Sequence, residues 1–327
     1  MDYYLGVDIG GSKTHAVLAD SSGKVVGFGE SGSGNHEVVG YDGMAKVLEE
    51  STRSALVMAG LSIDQVKAGG FGIAGYDWPS ERKPMLATVS RLGINGPVDI
   101  ANDTMVGLLA GASQGWGVVV DAGTGDNCMG RDREGKTAQM TGCGPLFAEF
   151  GGAGSLVMRA IQRISLEWGH RGPATGLTQA FVKYVGAKNL DDLLEGLAVG
   201  YYHVDAEAAP LVFKVAEEGD PIAIQAIAWA GKQLASMVIG ITRQLQFETL
   251  QFEVVCIGSM FNGGVLLMEP LKAEVMKVAP KAQFVRLNVP PVVGGVLLAM
   301  EKAGIPFSNA IRLELSRSIS SLLKEKD

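Results

Sequence analysis

The sequence has little cysteine, and its three cysteines form no metal or disulfide pattern. Cys128, Cys143 and Cys256 lie far apart, and the chain has no CxxC pair or Cys/His cluster. A disulfide framework or a structural zinc site is therefore not predicted. The start, MDYYLGVDIGG, lacks a basic region and a long apolar run, and no uninterrupted apolar segment reaches membrane-spanning length. We expect a cytoplasmic protein with no signal peptide and no membrane partner.

Basic residues are too few for a general attraction to nucleic acid. The 327 residues include 28 Lys+Arg against 35 Asp+Glu, which gives a formal net charge of -7. No nucleic-acid partner is expected, and an anionic ligand must be held by local loops and helix ends. A hydrophobic content of 47% with 19% charged residues is typical of a packed globular protein, and the length allows two domains.

Two stretches of the chain repeat a hydrophobic strand that ends in Asp and is followed by a glycine turn. The first, Tyr3–Thr14, reads YYLGVDIGGSKT, and the second, Val118–Asn127, reads VVVDAGTGDN. A D-x-x-G-K turn follows each copy, at 20–24 and at 132–136. In such glycine turns the backbone N–H groups can point outward and hold a phosphate. The duplication predicts two phosphate loops that face one cleft.

The predicted element order describes an α/β fold built twice. Residues 1–113 read as β-β-β-α-β-α-β-α and open with an antiparallel meander, unlike a Rossmann βαβ unit. Residues 114–327 repeat the meander and carry a helical insertion between 176 and 247. The last segment, 309–326, is an amphipathic helix that either folds back on the chain or faces a second copy in a homodimer.

Asp8 and Asp121 end the two matching strands. Each alone is explained by an Asp that accepts hydrogen bonds from its own turn, but the pair favours a cleft in which carboxylates hold Mg²⁺ and loop amides hold phosphates. Lys13 either adds charge near the terminal phosphate or is solvated. Gly258-Ser259, after a buried strand, has the form of an adenine-nucleotide contact, although such strand ends are frequent. The residues predicted to bind ATP are Gly10, Gly11, Ser12, Lys13, Thr14, Gly123, Thr124, Gly125, Gly258 and Ser259.

Asp103 follows the strand 98–100 and precedes a helix, which allows two interpretations. It can cap the helix, since Asp is favoured there, or it can act as a general base that takes a proton from a substrate hydroxyl. The two roles are compatible. Asn35-His36 follows a loop of small residues, where an amide and an imidazole either end an ordinary loop or contact the hydroxyls of a sugar.

The ordered set of motifs resembles the N-acetylglucosamine kinase group of the BadF/BadG/BcrA/BcrD ATPase family, within the actin–hexokinase superfamily. The resemblance covers nearly the whole length, in DIGGSKT (8–14), SGNH (33–36), Asn102-Asp103, AGTGDNC (122–128), TGCG (141–144), CIGS (256–259) and Gly294-Gly295. It implies two ribonuclease-H-like domains that close on ATP·Mg²⁺ and a sugar. By matching positions it implies that Asp103 is the catalytic base, that Thr124 and Gly258 contact the nucleotide, and that the sugar is bound by Asn35, Asp103, Asp126 and Asn127.

The chain departs from the family pattern in the expected sugar pocket. Gly151-Gly152-Ala153-Gly154-Ser155 stands where such kinases read G-D-E-G-S, so a sugar-binding acid is missing, and Asp126 stands where Ser is usual. Glu149 is predicted to restore a carboxylate from another position, and Gly152→Asp is expected to tighten N-acetylglucosamine binding. Three classes therefore stay open: an N-acetylglucosamine kinase, a kinase of free amino sugars, whose ammonium pairs with the added acids, and a non-catalytic nucleotide-binding regulator. Activators of radical dehydratases rank lower, because the cysteines do not suit an iron–sulfur cluster.

Overall fold

The computed structural model describes residues 2–324 and contains two five-stranded sheets. In the first sheet the strands lie in the order β3-β2-β1-β4-β5. β1, β2 and β3 pair antiparallel, whereas β4 and β5 add in parallel beside β1. The strands are β1 (Tyr3–Ile9), β2 (Thr14–Asp20), β3 (Val25–Ser31), β4 (Val66–Ile73) and β5 (Val98–Asn102).

The second sheet has the same topology as the first. Its order is β10-β9-β6-β7-β8, with β6, β7 and β8 antiparallel and β9 and β10 parallel beside β6. Read from the other edge, this is the order of the first sheet, so the duplication predicted from the two glycine turns is confirmed. The strands are β6 (Gly117–Ala122), β7 (Asp126–Arg131), β8 (Thr137–Gln139), β9 (Phe252–Ile257) and β10 (Ala282–Arg286).

Helices cover both sheets and supply the predicted insertion. The first of them begins at His36 because the Asn35 side chain accepts a hydrogen bond from the Glu37 amide and caps its first turn. Gly40 has a non-helical backbone conformation and kinks that helix. The helices are α1 (His36–Ala59), α2 (Arg82–Ser90), α3 (Asp103–Gly111), α4 (Ala153–Trp168), α5 (Gly176–Val185), α6 (Leu190–Ala198), α7 (Ala209–Glu217), α8 (Pro221–Gln244), α9 (Val265–Val275), α10 (Val292–Lys302) and α11 (Asn309–Lys324).

One helix in the described part of the chain, α8, is long and apolar enough to cross a membrane by length and composition alone. More than half of its most apolar window, 56%, is buried inside the protein. Its apolar residues belong to the core of the second sheet and include Ile227, Ala230, Leu234, Val238 and Ile241. Packing in that core accounts for the hydrophobicity of the helix.

The two C-terminal helices pack on the first sheet. α10 contacts β1 and β4, and its Val292, Val296 and Met300 share a core with Tyr4 and Val17. α11 folds back on the same region, where the Ser318 hydroxyl accepts a hydrogen bond from the Val25 amide at 2.9 Å. The predicted helix end at 325–326 lies outside the described residues. The division at 113/114 stays a prediction, but the packing places 292–324 with the N-terminal sheet.

Glycines allow α10 to lie directly against the first sheet and α3. A Cβ built at Gly70 of β4 would lie 2.2 Å from the Gly295 carbonyl oxygen, and one at Gly294 would lie 1.8 Å from the Val106 oxygen of α3. Backbone atoms cannot yield as a flexible side chain can, so these positions accept only glycine. The pair Gly294-Gly295 of the family motifs therefore has a packing role in α10.

We expect Gly70→Ala to destabilise the protein by about 1–3 kcal/mol, because the added methyl group would overlap the α10 backbone. Urea unfolding followed by circular dichroism measures this change. Gly32→Ala is the matched control, since no heavy atom lies within 4 Å of its Cβ position, and it should change stability by less than about 0.5 kcal/mol. Equal unfolding midpoints for the two variants would contradict the packing argument.

Candidate functional site

Three carboxylates lie near enough to influence one another electrostatically. Asp8 lies near the end of β1, Asp121 at the equivalent place in β6, and Asp103 at the first position of α3. Loss of hydration raises the pKa of Asp8 to about 8, with further contributions from the charges of Asp103 and Asp121. The same desolvation raises the pKa of Asp121 to about 7 and that of Asp103 to about 6. The two predicted metal ligands and the predicted base are thus close enough to repel one another.

Arg286, a basic side chain that no sequence motif indicated, acts electrostatically on Asp121. The charge of Arg286 in β10 opposes the rise in the pKa of Asp121. Its guanidinium donates to the Cys256 carbonyl at 3.2 Å and to the Asn262 side-chain oxygen at 3.1 Å. These contacts hold it at the carboxyl end of β9. The positive charge of Arg286 offsets the rise only in part, because the pKa of Asp121 is still raised to about 7.

The first glycine turn is closed by a backbone hydrogen bond from the Gly10 amide to the Lys13 carbonyl at 2.9 Å. Gly11, Ser12 and Lys13 are exposed, and the Lys13 ammonium lies 3.9 Å from the Glu30 carboxylate. Thr14 is fully buried, and its hydroxyl has no hydrogen-bond partner among the described residues. The turn therefore presents its tip to solvent, as a phosphate loop would.

The second glycine turn is anchored on the start of α4. The Gly123 amide donates to the Gly125 carbonyl, while the Ala153 and Gly154 amides donate to the carbonyls of Gly123 and Thr124. A Cβ at Gly152 would lie 2.4 Å from the backbone of Gly125. The expectation that Gly152→Asp would restore a sugar-binding acid is therefore wrong, because this backbone leaves no room for a side chain.

A cavity of about 510 Å³ opens beside the second glycine turn. Gly258 follows β9 with a φ of 94°, and a Cβ there would lie 2.5 Å from an oxygen of the Asp121 carboxylate. Apolar and polar groups of α7 and of the segment after β9 line the cavity: Thr124, Ala153, Ala206, Glu207, Ala209, Pro210, Phe213, Lys214, Glu217, Ser259, Met260, Asn262 and Gly263. Predicted nucleotide contacts Thr124 and Ser259 thus lie together on an amphipathic slot suited to a nucleoside.

A second cavity, also about 510 Å³, borders the same turn. Three acidic side chains line it, Glu37, Asp77 and Asp126, and no basic side chain of the described residues does. One oxygen of Asp126 is buried without a hydrogen-bond partner in residues 2–324. Burial and the charge of Glu149 raise the pKa of Asp126 to about 6. The remaining lining residues are Thr124, Gly125, Gly142, Cys143, Gly144, Pro145, Gly154 and Ser155.

Other residues predicted to bind sugar lie near this cavity without lining it. Asn35 caps α1, and the His36 ring is stacked on Tyr41 with centroids 4.9 Å apart. The Asn127 oxygen accepts a hydrogen bond from the Cys128 amide at 2.7 Å.

Glu149 does not have its predicted role as a sugar-binding carboxylate. Its carboxylate, in a residue only 4% exposed, accepts hydrogen bonds from the Thr141 amide and hydroxyl and from the Cys143 amide, so it holds the 141–143 loop.

Asn102, and not Asp103, occupies the N-cap of α3. The Asn102 side-chain oxygen accepts a hydrogen bond from the Thr104 amide at 2.8 Å, and Asp103 is the first residue of the helix. The capping interpretation of Asp103 is corrected by this geometry. The carboxylate of Asp103 also accepts from the Thr104 amide at 2.8 Å, so the donor is shared.

Asp77, which no sequence motif indicated, faces both domains. It follows β4, its carbonyl accepts a hydrogen bond from the Gln139 side chain at 2.6 Å, and its carboxylate accepts one from Asn102 at 3.0 Å. Burial, together with the charge of Asp103, raises the pKa of Asp77 to about 6. Its position after a strand that ends at the cleft was the one available signal in the sequence.

Within residues 2–324 no group of three or more His, Cys, Asp or Glu side chains is arranged to hold a metal ion. This does not argue against magnesium, since proteins hold Mg²⁺ with one or two carboxylates, water and substrate phosphates. The poorly compensated carboxylates of Asp8 and Asp121 fit that type of site.

The sequence profile of the BadF/BadG/BcrA/BcrD ATPase family matches residues 5–299. This is the family that the motifs resemble, and the match confirms that expectation. The chain is 24% identical over 301 residues to the N-acetylmuramic acid/N-acetylglucosamine kinase of Clostridium acetobutylicum. It is 26% identical over 313 residues to the N-acetyl-D-glucosamine kinase of Dictyostelium discoideum. Each comparison covers 91% of this chain and 98% of the relative.

The fold is also similar to a solved structure. A candidate N-acetylglucosamine kinase from Chromobacterium violaceum superimposes with a TM-score of 0.67 at 21% identity, covering 91% of this chain and 99% of that chain. This likeness, together with the two equivalent sheets, confirms the predicted duplicated ribonuclease-H-like fold of the actin–hexokinase type.

The raised pKa values predict that stability without ligand depends on pH. A carboxyl group whose folded pKa lies above its unfolded value stabilises the folded state below the unfolded pKa, and this contribution is lost as pH rises through the folded pKa. The window here runs from about pH 4 to about pH 8. Each unit by which the folded pKa exceeds the unfolded pKa corresponds to about 1.4 kcal/mol of folding stability lost across this window.

Asp8→Asn should therefore raise the melting temperature at pH 8 by at least about 2 °C, with little change at pH 4, where Asp8 is protonated in the folded protein. Calorimetry at both pH values measures this. Asp64→Asn is the control, because Asp64 lies on the exposed surface and its variant should show no such pH dependence. A lower melting temperature for Asp8→Asn at pH 8 would contradict the repulsion.

Proposed function

The chain belongs to the BadF/BadG/BcrA/BcrD ATPase family, and we propose that it is an ATP-dependent kinase of N-acetylglucosamine or a related hexosamine. The observation that carries the proposal is that Asp8 and Asp121 occupy equivalent places near two strand ends and, with Asp103, act on one another electrostatically. Two cavities border the second glycine turn and share Thr124, so a nucleotide in one and an acceptor in the other would both reach this turn. Kinship with sugar kinases over 91% of the chain supports the same reaction.

In this proposal the slot beside Thr124 and Ser259 takes the nucleoside of ATP, and the two glycine turns take its phosphates. Asp103 accepts the proton of the sugar's exocyclic primary hydroxyl. The sugar oxygen bonds to the γ-phosphorus as the bond from that phosphorus to the bridging oxygen breaks, and ADP leaves. A pKa of about 6 suits Asp103 to this task, since the group is ionised at pH 7 and close to the working pH.

Asp8 and Asp121 would hold the Mg²⁺ that accompanies ATP. Their carboxylates lie at equivalent strand ends and have raised pKa values, so a nearby cation would relieve their repulsion. When bound, Mg²⁺ neutralises charge on the β- and γ-phosphate oxygens. A cytoplasmic location and a homodimer stay predictions from the sequence.

A kinase of free amino sugars is the second candidate, and the acidic cavity favours it. Glu37, Asp77 and Asp126 line that cavity without a basic neighbour among the described residues. An ammonium group on the substrate would form charge-assisted hydrogen bonds there, whereas an N-acetyl group would leave the carboxylates unpaired. A non-catalytic regulator would bind nucleotide in the same slot without turnover.

Asp103→Asn tests the proposed reaction. An amide cannot accept the hydroxyl proton, so turnover should fall by roughly 10²–10⁴-fold, while ATP·Mg²⁺ still raises the melting temperature by mass action. An ATP-coupled assay across hexoses, hexosamines and their N-acetyl forms measures turnover. Near-normal turnover in the variant would remove Asp103 from the mechanism, and a wild type that binds ATP without phosphorylating any of these sugars would favour the regulator.

Asp126→Ser tests the choice between the two hexosamine classes. Removing a charged acceptor should weaken binding of a free amino sugar by about 1.5–3 kcal/mol and leave an N-acetylated sugar less affected. Calorimetric titration with glucosamine and N-acetylglucosamine gives both affinities. Asp132→Ser is the control, because Asp132 lies in the turn after β7 and does not line the cavity. Equal losses for both sugars would count against ammonium recognition by Asp126.

A further inference from the structure

Two segments of the first domain, the loop after β4 and the start of α3, are joined by a single asparagine. Asn102 is 3% exposed, and both polar atoms of its side chain have partners. Its amide nitrogen donates to the Tyr76 carbonyl at 3.1 Å and to the Asp77 carboxylate at 3.0 Å. Its oxygen accepts from the Thr104 amide. Only one orientation of the amide is possible, because the flipped group would set its oxygen against two acceptors.

Asp77, whose carboxylate is one of the two acceptors of the Asn102 amide, is itself held by hydrogen bonds at its backbone amide and its backbone carbonyl. The Asp77 amide donates to the Glu81 carboxylate at 3.0 Å, and the Asp77 carbonyl accepts from Gln139 of the second domain at 2.6 Å. The carboxylate also lies close to the 142 region, since a Cβ at Gly142 would be 2.9 Å from its oxygen. Asp77 is therefore fixed in space before any substrate binds.

The orientation of Asn102 bears directly on Asp103. The Thr104 amide is shared between the Asn102 oxygen and the Asp103 carboxylate, each at 2.8 Å. If the Asn102 amide turned away, this donor would belong to Asp103 alone. A carboxylate that gains the full hydrogen bond is stabilised in its charged form and drawn towards the helix, which makes it a weaker and misplaced base.

We propose that Asp77 is a positioning residue, which keeps Asp103 in place as a base by orienting the Asn102 amide. This inference rests on the proposed kinase function. It concerns a residue that no sequence motif indicated, and it differs from a direct role for Asp77 at the cavity wall. The distinction is chemical. Positioning needs only a hydrogen-bond acceptor at 77, whereas contact with a charged substrate group needs the negative charge.

The first arm of the test compares Asp77→Ala with Asp77→Asn. The alanine variant loses the carboxylate acceptor and leaves the Asn102 amide nitrogen with the Tyr76 carbonyl alone, so kcat should fall by roughly 10–100-fold, with little change in the KM for ATP. The asparagine variant can present its side-chain oxygen to Asn102 and should recover most of kcat. An asparagine variant as impaired as the alanine variant would overturn positioning in favour of a charge contact.

The second arm asks whether the effect passes through Asn102. Alanine at 102 has neither an oxygen to share the Thr104 amide nor an N–H group to bond with Asp77. Asn102→Ala should therefore lower kcat as Asp77→Ala does, together with a lower melting temperature from the lost helix cap, whereas Asn102→Ser keeps the capping oxygen and should lower kcat less. In the double variant the two losses should not add, as expected for coupled residues. Independent, additive losses would overturn the proposal.

Asn95→Asp is the matched control, since Asn95 is an exposed asparagine that donates to the Asp64 carboxylate at 3.3 Å. Its kcat should equal that of the wild type. An unchanged kcat in Asp77→Ala would overturn this inference while leaving the proposed function intact. A wild type without turnover on any hexosamine would overturn the proposed function, and the inference with it.

Discussion

The burial of three neighbouring carboxylates is the constraint that the rest of this structure must accommodate. Asp8 and Asp121 come from equivalent strands, Asp103 begins the helix after β5, and each has a pKa raised by desolvation. Such a group costs folding free energy that other packing must offset. Folded proteins keep local conflicts of this kind mainly at functional sites. In the proposed function, a bound cation would relieve this conflict.

The spacing of these carboxylates depends on α10. Glycines let this helix approach β1 beside Asp8 and α3 near Asp103, since a Cβ at Gly295 would lie 3.0 Å from the Val7 amide and one at Gly294 would lie 1.8 Å from the Val106 oxygen. A helix from the C-terminal part of the chain thus braces the strand and the helix that carry two of the three charges. Close backbone contact makes that spacing rigid.

The second glycine turn borders both cavities, since Thr124 lines each of them, and its contacts with the start of α4 constrain the segment 151–155. Gly123 and Thr124 accept hydrogen bonds from the start of α4, and Gly125 packs on Gly152. Because these backbones are in contact, a side chain at 152 would displace the glycine turn. The carboxylates at 37, 77 and 126 line the second cavity instead, and in the proposed function they would favour acceptors that carry a positive charge.

Local pattern alone determined the strands, nearly all the helices, the duplication, and the acidic strand ends of Asp8 and Asp121, because periodicity and glycine turns are written in neighbouring residues. Only tertiary structure decided the rest. Asn102 caps α3, and Glu149 holds a loop through hydrogen bonds. α10 packs on the first sheet. Asp77 bonds to Asn102, and Arg286 lies near enough to Asp121 to lower its pKa. These roles depend on partners distant in sequence, and the hydrogen bonds and charges that define them exist only once the two sheets have packed together.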